Sequence, residues 1–290
     1  MAVRVVVLGA AGMLGRDLCS QLSPCHETLA WSRVDADVTN APALRAKILD
    51  VRPDVVINCA AATNVDRCET EPDWAYRHNG WGAWSAAAAA AAAGARLIHV
   101  STDFVFSGAT DRPYHEWDPT GPLSIYGASK LAGEIAALRI WPQTSIVRTQ
   151  WLYGRQGDSF PKAILNAARR RPEAGLKVVA DQFGAPTYTR HLARKLAWLI
   201  DWPIDGIYHV NNAGECSRHD WAVELLRLTG FSDVPVAPIR AADWPAPAPR
   251  PARSTLRRYA LELMGQDDLP SWEDGLRDYV AELREAGELP

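Results

Sequence analysis

The sequence predicts an α/β fold with a doubly wound parallel sheet, and three observations carry that expectation. Short apolar runs alternate with helix-length segments through the first half of the chain, the signature of strands crossed by helices on both faces. A glycine-rich turn joins the first such run to the first helix. Thr63, Thr102 and that turn all fall at the carboxyl ends of expected strands, where ligands gather in open sheets of this kind.

Taken in order, Arg4-Val5-Val6-Val7-Leu8 is β-branched and apolar, as a buried parallel strand requires. A helix is expected from Gly12 to Leu22, a strand over Glu27–Trp31, a helix over Ala41–Val51 and a strand over Asp54–Asn58. The alanine run Ser85–Ala93 reads as a helix of high intrinsic propensity and little bulk, able to lie close to a neighbour. Trp81 and Trp84 are expected to pack near its start, with no ligand role. Leu97–Ser101 and Ser145–Arg148 complete the strands of this half, flanking the helix that carries Tyr126 and Lys130. In the second half, Arg155–Pro161, Arg170–Gly175, Asp181–Thr187 and the proline-dense Val234–Arg253 read as loops suited to wrapping a ligand more than as a second core. Helices are expected over His191–Ile200 and over Ser217–Thr229, the latter capped by Ser217, with a strand over Gly206–Val210 between them.

Gly9-Ala10-Ala11-Gly12-Met13-Leu14-Gly15 follows the first strand with GxxGxxG spacing. Such glycines permit a tight turn and close approach of the backbone to a pyrophosphate, whose charge rests at the helix N-terminus, so a Rossmann-type dinucleotide site is expected here. A strand-to-helix turn without a ligand uses the same residues. Arg33 follows the second strand, where no acidic residue is placed to select the ribose hydroxyl of NAD. An arginine there accommodates a 2′-phosphate, or is a solvated surface side chain.

Tyr126-Gly127-Ala128-Ser129-Lys130 puts a phenol and an ammonium one helical turn apart. A nearby positive charge favours the phenolate, which is expected to bring the tyrosine toward working pH. Thr102, ending the strand before it, adds a neutral hydroxyl. Acid, cation and positioning hydroxyl together suit hydride reduction of a ketone.

With these residues in place the chain resembles the dTDP-4-dehydrorhamnose reductase family of the extended short-chain dehydrogenase/reductase superfamily. The resemblance runs over nearly the whole chain. It rests on Asn58–Asp66, Ser101–Gly108, Pro113–Glu116, Pro122–Glu134, Arg148–Gly154, Asp181–Thr187 and Arg250–Ser254. It implies a cofactor domain over residues 1–150 and a smaller, mainly substrate-binding part over residues 151–290, some of whose segments return to the cofactor domain. It implies NADPH or NADH as cofactor, held by Gly9, Gly12, Met13, Leu14, Gly15, Arg33, Asp37, Val38, Ala61, Ala62, Thr63, Tyr126 and Lys130. Asp37 could instead cap the following helix. The catalytic set it implies is Thr102, Tyr126 and Lys130. The substrate, a dTDP-linked ketosugar, is expected to meet Val65, Thr102, Asp103 and Trp151, the last through a flat face against the sugar ring. Core packing is the alternative for Trp151, and a strand-end cap or acid–base role for Asp103.

Phe104, His191 and Arg257 depart from the family, which usually has tyrosine, aspartate and an acidic residue at these places. Related dehydratases carry an acidic pair after the threonine; here Phe104 leaves one carboxylate, and elimination needs both a donor and an acceptor. Two rivals stand beside the rhamnose reading: a reductase of another nucleotide-linked ketosugar, and a non-catalytic NADP-binding regulatory subunit similar to the beta subunit of methionine adenosyltransferase.

Composition sets the outer limits. The chain has 290 residues, 48% of them hydrophobic, and a formal net charge of −3. It can bury a sizeable core and carries no electrostatic footprint for nucleic acid or acidic lipid. No stretch reaches the roughly 20 apolar residues of a membrane span. Five cysteines form no CxxC pair, and the seven histidines form no HExxH or paired-ligand spacing, so no metal site is expected. A cytoplasmic monomer or homodimer with reduced thiols is the expectation.

Overall fold

A computed structural model describes residues 2–170, 173, 175–202 and 204–289. Six parallel strands form the central sheet. In chain order they are β1 (Arg4–Leu8), β2 (Glu27–Trp31), β3 (Val55–Asn58), β4 (Arg96–Thr102), β5 (Thr144–Thr149) and β6 (Gly206–His209), and in space they run β6-β5-β4-β3-β1-β2. Val5 pairs with both Thr28 and Val55, which fixes the register around the first strand. The order reverses at β1, so the crevice beyond the ends of β1 and β3 is the switch point where such sheets take their ligands.

Both faces of the sheet are buried. Val5, Val7, Ile57, Ile98 and Val147 point to one side, under Met13–Leu22 and Thr189–Asp201; Val6, Leu8, Val56, Leu97 and Ile146 point to the other. Period-two alternation along each strand produces this split. On the second face lies Gly82–Ala93, whose alanines let it pack between the helices Ala41–Val51 and Ile125–Ile140. A π-helical turn, Tyr76–Trp81, leads into it, and Trp81 stacks on Trp84 with centroids 4.4 Å apart.

Local chemistry sets the helix ends. Gly12 is the N-cap of Met13–Leu22. Asn40, not Asp37, caps Ala41–Val51: its side chain accepts from the Ala43 amide, while Asp37 accepts from the Thr39 amide. Ser217 caps Arg218–Leu228 through a reciprocal box with Asp220, two backbone donors being satisfied by one pair of side chains.

The second half corrects one expectation. It holds a core of its own, in which Tyr153, Tyr188, Trp221, Leu225, Leu276 and Tyr279 pack together. Its residues come from short elements, among them the amphipathic helix Phe160–Arg170 and the helix Trp272–Glu285, neither of which was expected. Turn residues between them broke the periodicity by which a core is recognised. Part of the loop expected over Arg170–Gly175 lies outside the described residues. All five cysteines are free thiols, and among the described residues no helix is long and apolar enough to cross a membrane.

Candidate active site

The glycine loop closes over the end of β1 by backbone fit. Gly9 has φ +76, a region that disfavours side chains, and a Cβ there would stand 2.7 Å from the Ala60 nitrogen. A Cβ on Gly15 would run into the Gly9 carbonyl oxygen, so the loop and the helix it opens touch backbone to backbone. Above them lie two adjoining cavities. The first, about 390 Å3, is lined by Gly9, Gly12–Gly15, Ala61, Thr63, Thr102, Tyr126, Lys130, Gln150 and Trp151. The second, about 260 Å3, shares Gly9, Gly12 and Ala61 and adds Arg33, Asp37, Val38 and Ala62. The named residues, from six separate segments, therefore line one continuous cleft.

That cleft fits a dinucleotide. It has a glycine cradle in the middle and a carboxylate and a guanidinium at one end. At the other end the buried side-chain amide of Gln150 and the Thr149 hydroxyl have no hydrogen-bond partner among the described residues, as polar groups awaiting a ligand would. Arg33 is exposed and lies 3.4 Å from the Asp37 carboxylate.

Tyr126 owes its position to Gly127. A Cβ there would collide with the Phe104 carbonyl oxygen, and this contact seats the first turn of Ile125–Ile140 against the end of β4. Phe104 meets the Tyr126 ring edge-on at 5.4 Å. Buried Asn79 holds the arrangement from below: it accepts from the Ala62 amide at 2.8 Å and donates to the Ser129 hydroxyl at 3.0 Å, tying the β3 loop to the Tyr126 helix. Sequence reading missed Asn79, because nothing in its neighbourhood distinguishes it from a surface asparagine; only its burial does.

The Tyr126–Lys130 electrostatics differ from the expectation. Burial pushes the Tyr126 phenol well above its usual value, and the Thr102 hydroxyl opposes this only in part. Lys130 donates to the Val100 carbonyl at 2.6 Å. Burial lowers its ammonium to about 8, against the favourable field of Glu134. Desolvation of each group outweighs their one-turn spacing.

Asp103 is buried, accepting from Thr102 at 3.0 Å and from the Ser254 hydroxyl at 2.5 Å. Burial raises its carboxyl to about 6. It therefore stands behind Thr102, orienting that hydroxyl. Val65 opens the short helix Val65–Thr70 and lines neither cavity. Trp151 does line the cleft, in an αL backbone with φ +45, and its ring also lies 5.9 Å from that of Trp221, so it belongs to site and core together.

The chain matches the model of the RmlD substrate binding domain family over residues 3–285. It is 42% identical to a dTDP-4-dehydrorhamnose reductase of Mycolicibacterium smegmatis, covering 97% of this chain and 86% of the relative. It is 38% identical to the spore coat polysaccharide biosynthesis protein SpsK of Bacillus subtilis, covering 98% and 99%. A solved dTDP-4-dehydrorhamnose reductase of Bacillus anthracis, in complex with NADP, superposes with a TM-score of 0.94 at 37% identity, covering 97% of this chain and all of that one. Spanning the sheet, the cleft and the second core alike, these matches show that the chain belongs to the RmlD substrate binding domain family, alongside the dTDP-4-dehydrorhamnose reductases.

Proposed function

We propose that this protein reduces the 4-keto group of a dTDP-linked sugar with NADPH or NADH, the substrate being dTDP-4-dehydro-L-rhamnose and the product dTDP-L-rhamnose. The observation that carries the reading is the meeting of Thr102, Tyr126 and Lys130 on the wall of the cavity that the glycine loop closes. The bound nicotinamide supplies a hydride. The protein's own part is the proton and the geometry. Tyr126, kept protonated by burial, gives its proton to the ketone oxygen as that oxygen gains charge. The Thr102 hydroxyl, whose one proton goes to Asp103, positions the carbonyl by turning that proton to the ketone oxygen when substrate binds. Lys130, anchored on the Val100 carbonyl, presents its remaining donors to the nicotinamide ribose. Arg33 at the adenine end supports use of NADPH at least as readily as NADH.

The test is a panel of nucleotide-linked ketosugars assayed for oxidation of NADPH and of NADH, with products identified by NMR. Reduction of dTDP-4-dehydro-L-rhamnose to the L-rhamnose product is expected. Turnover confined to another ketosugar would replace the substrate, and failure of the whole panel would favour the regulatory-subunit alternative.

A further inference from the structure

Arg218 is the first residue of the helix Arg218–Leu228, and its guanidinium lies over two rings. Its Cζ stands 4.0 Å from the centroid of Trp151 and 5.4 Å from that of Phe160. Burial lowers it to about 10, with Asp103 as the main favourable field and Arg250 opposing. Its side chain makes cation–π contacts but no hydrogen bond or ion pair among the described residues. The side chain is only partly buried, so its five N–H donors keep contact with solvent and stand open to a ligand's oxygens. The contact with Trp151 holds the guanidinium in place without using any of those donors.

The space beside it is a separate cavity of about 480 Å3, lined by Val179, Gln182, Arg218, Trp244 and Arg250 with the proline-rich segment between the last two. Its other cation is already engaged: Arg250 binds both oxygens of Asp66, at 2.9 and 3.1 Å, and the Ala248 carbonyl. Trp151 joins this cavity to the cleft, for it lines the wall beside Tyr126 while Arg218 rests on its ring.

We propose that Arg218 is the anion anchor of the substrate, binding the diphosphate of the sugar nucleotide one indole ring away from the sugar. This rests on the sugar-nucleotide reading above and names the residue that reads its charge. A guanidinium fork matches phosphate oxygens in pairs, and a second positive charge nearby suits a dianion. Trp151 then has two duties, a platform for the sugar and a support that holds the fork in its plane.

The test is calorimetric titration of the parent, Arg218→Met and Arg218→Lys with dTDP, thymidine and NADPH at one ionic strength. Hydrogen bonds to a charged group are worth about ten- to a hundredfold in affinity. Arg218→Met is expected to lose dTDP affinity on that scale, keeping thymidine and NADPH within about twofold, with Arg218→Lys recovering part of the loss. Unchanged dTDP affinity in Arg218→Met overturns the assignment. So does an equal loss for thymidine and dTDP, which would make Arg218 a prop for Trp151. Repeating the titrations with UDP and GDP against their nucleosides separates the two readings. An Arg218-dependent gain of diphosphate over nucleoside with any base supports the anchor, even where thymine is not the preferred base and the substrate must be renamed.

Discussion

The Tyr126 phenol has to hold its proton at neutral pH and release it only as a ketone oxygen gains charge, and burial beside Thr102 meets the first requirement. Tyr126→Phe removes one oxygen and leaves the ring against Phe104. It is expected to lower turnover by about a hundred- to ten-thousandfold with NADPH affinity and melting temperature nearly unchanged. Single-turnover rates near the parental value would remove Tyr126 from the mechanism. Asp103 makes a different prediction, about stability. Its folded-state value of about 6 lies above the ordinary carboxylate value, so the folded protein holds a proton that the unfolded chain releases earlier. The associated stability is complete below about pH 4 and is lost as pH rises through 6. Asp103→Asn is neutral throughout and should gain on the parent between pH 4 and pH 7, by up to about 3 kcal/mol. Urea midpoints of both proteins at the two pH values measure this; a pH-independent difference would contradict it.

The Tyr126 helix is fastened to the sheet by charge as well as by glycine. Arg148 on β5 reaches Glu134 at 2.7 Å, both nearly inaccessible at 3% and 2% side-chain exposure. Ser101 donates to the same carboxylate and Arg148 to the Glu116 carbonyl. Removing one partner strands a buried charge, so Arg148→Met is expected to cost about 3–5 kcal/mol, while Arg148→Met with Glu134→Leu should recover much of it. Chemical denaturation of the two variants decides this; equal losses would mean that packing, not the stranded carboxylate, sets the cost. This pair could not be read from the sequence, since the two residues lie 14 apart on different elements. The helix itself could: Tyr126 and Lys130 at one-turn spacing, and the Ser217 cap with Asp220 three residues on, are local features whose causes lie within a few residues.

At the scale of the molecule, two bodies of packing meet at the cleft. The sheet carries the glycine loop; the second core carries Trp151 through Trp221 and is closed by the last helix, where Leu276 is fully buried. Leu276→Ala is expected to cost about 2–5 kcal/mol. The loss should reach the sugar side first, raising KM for the sugar nucleotide while NADPH affinity stays near parental. Paired kinetics and cofactor titration check this, and an equal loss of both would show that the two bodies share one stability.

The sequence by itself determined the alternation of strands and helices in the first half, the glycine turn, the Ser217 cap and the set of residues at the strand ends. Each depends on period, backbone freedom or hydrogen bonding within a turn or two of chain. Only the tertiary structure decided the ionisation of Tyr126 and Lys130, the place of Asp103 behind Thr102, the anchoring by Asn79 and the position of Arg218 on Trp151. Desolvation and long-range contact control these, and both depend on which distant segments exclude water from a group. A spacing of four residues places a cation near a phenol, but the fold around them sets how much either charge costs.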